Sequence, residues 1–208
     1  MQLTYLKPAA IAAALILTAC SEAPKPAAEA KPVAEVKPAA PTEPVTAKTA
    51  FWEMHKMART WAKDVSPLSL TSKELTGYKN EGGKAALWSA VFVSPGKKEA
   101  RTLTYSIATV DSVHKGVEAT NAVPWGGPNR DANTFQTAEF GIDSDAVFKK
   151  ASEKGAAWLK EHPGKTVTMT LGNASRFPAP VWYVLWGDTK AGFNTWINAV
   201  TGEEAKAK

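Results

Sequence analysis

The stretch SDAVFKKASEKGAAWLKEHPGKTVTMTLGNASRFPAPVWYVLWGDTKAGFNTWINAVTG, residues 144–202, decides the fold. Its first part has a helical period. Phe148, Ala151, Gly155 and Trp158 recur on one face with Leu159 beside them, while Lys149, Lys150, Glu153, Lys154 and Lys160 fall elsewhere on the wheel. Asp143 or Ser144 supplies the side-chain oxygen that caps such a helix. Pro163-Gly164 ends it near His162, because proline cannot continue the hydrogen-bond ladder and glycine accepts a left-handed turn. Period two follows: Val167, Met169 and Leu171 point one way, and Thr166, Thr168 and Thr170 the other. Asn173 to Pro180 reads as a loop. Val181 to Trp186 is apolar in both phases and predicts a central, doubly covered strand. Gly187-Asp188 turns the chain, and Phe193 to Val200 returns as a third strand that ends at Thr201-Gly202.

Working outward, the helical pattern recurs ninety-seven positions upstream, where Phe51, Met54, Ala58 and Trp61 match Phe148, Ala151, Gly155 and Trp158. Leu68 and Leu70, then Leu87 to Val93, then Leu103, Tyr105, Ile107 and Thr109 follow in the order of the three downstream strands. The expected fold class is α+β: two tandem helix-plus-three-strand repeats, with an antiparallel sheet packed on helices, after a disordered N-terminal linker. Residues 49–114 form the first repeat, 115–141 a connecting segment and 142–204 the second repeat. A unit of about 60 residues has a marginal core on its own, so the copies pack together or share one sheet. Eight tryptophans in 208 residues supply much of that core. A buried aromatic is worth about 4–6 kcal/mol as an upper bound. Within the connecting segment, Thr134 to Phe140 reads as an extra edge strand.

The N-terminus is a targeting segment. Lys7 is followed by an apolar run from Pro8 to Leu17 that is too short to span a bilayer, and Leu17-Thr18-Ala19-Cys20 closes it. This resembles the bacterial lipoprotein signal, which implies that residues 1–19 are removed, Cys20 is acylated and the membrane is engaged through lipidated Cys20. Ser21, where inner-membrane members of that class carry Asp, implies the periplasmic face of the outer membrane. Cys20 is the sole cysteine, so an internal disulfide, cysteine catalysis and zinc-thiolate sites are excluded. Residues 20–48 hold that cysteine and an Ala/Pro/Lys/Glu linker with balanced charge, an extended spacer and not a polybasic tether.

The net charge is +5, carried by scattered lysines without the clustered basic and aromatic pattern of a nucleic-acid binder. The three histidines, His55, His114 and His162, have no ligand partner at i+2 or i+4, and no phosphate-cradling or nucleophile-elbow motif occurs. The expectation is a non-enzymatic protein with no cofactor and no metal. Binding residues are sought in loops that carry Trp and Arg. The glycine-rich turn Trp125-Gly126-Gly127-Pro128-Asn129-Arg130-Asp131 makes Trp125, Arg130 and Asp131 the candidate partner-binding residues. Trp182, Trp186 and Trp196 are candidate ligand-stacking residues, expected on one sheet face as part of the core or as a pocket lining. Arg176 and Tyr183 are read either as ligand contacts or as a cation packed on an aromatic.

The C-terminal run Trp196-Ile197-Asn198-Ala199-Val200-Thr201-Gly202-Glu203, after the Trp-Tyr strand and the Gly187-Asp188 turn, resembles a PepSY-type domain, with Asn198 where that family usually has Asp. The resemblance implies a small envelope module that restrains a peptidase or contacts protein without catalytic residues of its own. The expected function is therefore a lipid-anchored protein-binding module with an envelope protein partner. A periplasmic binder of a small ligand or glycan through a Trp-lined sheet face is the alternative.

Overall fold

Helices form where the apolar spacing requires them, and all pack on one side of a sheet. The computed structural model describes residues 42–208; the signal segment, Cys20 and the linker as far as residue 41 lie outside them. The described residues belong to one compact unit, Ala39–Lys208, and hold the whole of the core given below. In chain order the elements are β1 (Val45–Thr46), α1 (Ala47–Trp61), β2 (Ser66–Lys73), β3 (Lys84–Ala85), β4 (Leu87–Ser94), β5 (Glu99–Ser106), β6 (Gly116–Ala119), β7 (Val123–Pro124), α2 (Ser144–Lys154), α3 (Ala156–Glu161), β8 (Val167–Gly172), β9 (Val181–Trp186) and β10 (Phe193–Asn198). The fold thus starts at Val45, inside the stretch read as linker.

The expectation of two tandem helix-plus-three-strand repeats is overturned. The chain builds one continuous eight-stranded sheet in the order β10-β9-β8-β2-β4-β5-β6, with β7 also on β5. Every pairing is antiparallel, and β2 and β8 join through Ser69–Gly172, Leu70–Leu171 and Thr71–Thr170. The physical reason is visible in one cross-strand row. Leu103, Ala90, Leu70, Leu171, Trp182 and Ile197 stand side by side from β5 to β10, and none is more than 3% exposed. Apolar surface is buried most completely when this row is unbroken, so no boundary forms where two separate units would need one.

Helices α1 and α2 also share their N-terminal cap. Asp143 Oδ1 accepts the backbone N–H of Ser144 and of Lys48, and Ser144 Oγ accepts that of Ala47. Thr46, the N-cap position of α1, makes no side-chain cap bond of its own. One acidic side chain thereby satisfies orphan donors of both helices. Two buried indoles fix the entries: Trp88 donates to the Val45 carbonyl at 3.0 Å and Trp182 to the Ile142 carbonyl at 3.1 Å.

Two further expectations change. The helix read as continuous to His162 is broken at Gly155 into α2 and α3, and the Phe193 ring stands 2.7 Å from where a Cβ at 155 would be, which leaves room there only for glycine. Thr134 to Phe140 is not a strand; it holds a 3-10 turn at Thr137–Glu139 and sends Phe135 and Phe140 into the core.

Candidate functional site

Side chains alternate along each strand, so the row next to the buried one faces away from the helices. Its members are Glu118, Thr104, Ser89, Thr71, Thr170, Tyr183 and Trp196, one from each of β6, β5, β4, β2, β8, β9 and β10 in register. All seven are half-buried. The hydroxyls of Thr104, Ser89, Thr71 and Thr170 make no hydrogen bond to another side chain or backbone group among the described residues. Thr102 and Thr168 extend the same polar face on β5 and β8.

At the β9–β10 end this face is partly closed. Asn173 to Pro180 returns over it, and Phe177 lies 5.1 Å from Trp196, ring centre to ring centre. Tyr183 packs on Trp196 at 4.4 Å, and the Arg176 guanidinium sits 4.7 Å over the same ring. Of the two readings of Arg176, the structure shows the cation packed on an aromatic. The loop is tied down by the C-terminal tail, where Lys208 N–H donates to the Arg176 carbonyl and Ala205 N–H to that of Trp196.

The three candidate stacking tryptophans do not share a face. Trp182 and Trp186 point to the helices and are 0% and 3% exposed. Trp196 pairs with Tyr183 in register and so faces the other way. The antiparallel register between β9 and β10 decides this, and no single-strand pattern reveals it.

The connecting loop separates its candidates as well. Trp125 is half-buried, its N–H held by the Lys98 carbonyl beside the start of β5. The Arg130 carbonyl accepts from Ser175 in the β8–β9 loop, and Asp131 N–H donates to Asn129 Oδ1. The Arg130 and Asp131 side chains are exposed. The segment therefore runs along one end of the sheet, with Trp125 anchored near one corner and Arg130 and Asp131 toward the other.

A cleft of about 610 Å³ opens on the helix side between the β2–β3 loop and the start of β8, with Phe148 and Trp186 among its lining residues and Glu74, Glu81, Lys79 and Lys165 carrying its charges. Two carboxylates and two lysines thus line it, with no excess of either sign. No cluster of three or more His, Cys, Asp or Glu side chains suited to a metal ion occurs among the described residues. His55 is wedged against Phe51 and Phe92, and burial, then the nearby Arg59, hold its imidazole below the usual range. His162 stacks on Trp158 at 4.2 Å.

The C-terminal motif is a turn. Asn198 Oδ1 accepts from Val200 and Thr201, the Asn198 carbonyl accepts from Gly202, and Gly202 is left-handed at φ 73°. An oxygen acceptor is what this position needs, and Asn and Asp both supply one. Compared with known proteins, the chain matches no family model, no curated sequence and no solved structure.

The residues that sequence reasoning missed are the hydroxyl row. Its signal was present in the polar phase of each strand: Ser69 and Thr71, Thr102 and Thr104, Thr168 and Thr170. What joins them is the pairing of strands far apart in the chain.

Proposed function

We propose that this chain is a lipid-anchored, non-enzymatic protein of the bacterial cell envelope that binds a protein partner through the sheet face its helices leave open. The observation that carries the reading is the cross-strand row from Glu118 to Trp196, with its unengaged hydroxyls. Seven strands spaced by about 4.8 Å span roughly 29 Å, enough for a standard interface of about 800 Å² a side. Hydroxyls that keep both donor and acceptor capacity suit the polar part of such a contact, and the Trp196–Tyr183–Arg176 cluster at one end is of the residue types that anchor it. Lipid attachment at Cys20, on the periplasmic face of the outer membrane, rests on the resemblance of Leu17 to Cys20 to a lipoprotein signal. A peptidase is the partner class implied by the likeness of Trp196 to Glu203 to a PepSY-type end.

The test is cross-linking in cells with the full chain, followed by mass spectrometry. A Thr71→Arg, Thr104→Arg variant obstructs the open face, and a Trp125→Ala, Arg130→Ala variant removes the loop candidates. A partner captured by the wild type and by the loop variant, but lost from the face variant, is the expected result. Loss only from the loop variant would move the site to residues 125–131, and equal capture by all three would sink both. The second reading, a small ligand or glycan, rests on Tyr183 and Trp196 being adjacent on the open face. It requires a change in tryptophan fluorescence on adding a glycan panel, abolished by Trp196→Phe.

A further inference from the structure

The opposite side of the molecule carries a second unassigned surface. Along α1, the buried residues Ala47, Ala50, Phe51, Met54 and Ala58 face the sheet. Trp52, Lys56 and Arg59, at i, i+4 and i+7, form one stripe on the outer side. Lys63 follows just past the helix end and is also exposed. Trp52 is 44% exposed, although Trp88 and Trp182 in the same chain are fully buried. Its ring touches only Phe51 and His55 among the aromatics, both on its own helix. Of the four large apolar side chains left exposed among the described residues, Trp52 and Met57 both belong to α1.

The charges around this stripe are mostly positive. Glu53 pairs with Lys56 at 2.8 Å. Asp64, hydrogen-bonded by Ser94 and Gly96, keeps its negative charge, so these two carboxylates stand against Lys56, Arg59 and Lys63. Lys97 and Arg101 add two more cations at the C-terminal end of α1, where both lie over the Trp61 ring.

We infer that this face of α1 docks on the surface of a bilayer containing anionic phospholipid. An amphipathic indole is favoured at the headgroup level, and cations beside it are attracted by the negative surface potential. The surface would hold the outer face of α1 against the membrane and leave the hydroxyl row free. The inference stands on the stripe alone and is independent of whether the open face binds a protein.

The experiment is vesicle flotation of the chain from Ala39 onward, which has no signal segment and no Cys20. Phosphatidylcholine vesicles with and without phosphatidylglycerol are compared. The expected result is binding only to the anionic vesicles, lost at high salt. A Lys56→Gln, Arg59→Gln, Lys63→Gln variant should lower partitioning on the order of a hundredfold, and Trp52→Ala should weaken it as well. These positions are exposed, so far-UV circular dichroism and the melting temperature should stay close to those of the wild type. A Lys149→Gln, Lys150→Gln, Lys160→Gln variant removes the same charge from the other helical segments and should bind like the wild type. Absence of binding to the anionic vesicles, or equal loss from both triple variants, would overturn the inference. So would competition by soluble dextran sulfate together with indifference to Trp52→Ala, which would show contact with a polyanion and not a bilayer.

Discussion

Asp143 shows how much one side chain can carry. It caps α2, as its place before the helical run implies, and its carboxylate also takes the Lys48 N–H at the start of α1. The first role is legible in sequence because it is local. The second joins residues 95 positions apart and belongs to the tertiary structure. Asp143→Ala should lower stability by about 2 kcal/mol, the worth of two caps, measured by urea denaturation, whereas Asp143→Asn should keep most of it. Gly83 is held at φ 77°, and a Cβ there would come within 2.6 Å of Asp145 Cα. Gly83→Ala should therefore cost about 3 kcal/mol, from backbone strain plus overpacking. Asp64 supplies a pH test. Its hydrogen bonds from Ser94 and Gly96 hold its pKa below the ordinary 3.8. A depressed folded pKa gives stability that is present above the unfolded value and lost as pH falls through the folded one. Asp64→Asn should therefore melt below the wild type at neutral pH, with the difference closing below pH 3.8. A gap that persists in acid would contradict the assignment.

At the scale of elements, the seam between β2 and β8 is the feature the fold turns on. It rests on three residue pairs and the bond from Met169 N–H to Ser72 Oγ. Leu70 and Leu171 face each other across it and are both fully buried. Leu70→Ala and Leu171→Ala should each cost about 3 kcal/mol. The double variant should depart from additivity by about 1 kcal/mol, as contacting residues do. The strands flanking the seam were legible, since β2, β4, β8 and β9 carry alternation or dense β-branched and aromatic residues. Strands β6 and β7 were not, because two to four residues cannot display a period. The need for glycine at 155 was hidden for another reason: the space beside it is taken by Phe193, a residue in a different element.

At the scale of the molecule, the pattern read as two repeats is built into one continuous sheet. Each half begins its main strands with one whose neighbour is in the other half, β2 beside β8, so the buried row from Leu103 to Ile197 exists only when both are present. Calorimetry should accordingly give a single cooperative transition with equal calorimetric and van't Hoff enthalpies; two resolved transitions would mean that the seam is not part of the stable core. The candidate surface follows the same logic. Thr104, Ser89, Thr71 and Thr170 are ordinary polar positions in four separate strands, and they become one row only through the strand order. The Trp125 loop, by contrast, drew the eye through its residue types, while the structure spreads its members along one end of the sheet. Whether the open face is the binding surface is tested by a photo-cross-linking scan in cells. A photoreactive residue is placed in turn at Ser89, Thr104 and Thr168 on the open face and at Lys149, Lys160 and Glu153 on the helices. One shared protein adduct is expected from the open-face positions and none from the helical ones. An adduct confined to the helical positions, or the same yield from both sets, would contradict it.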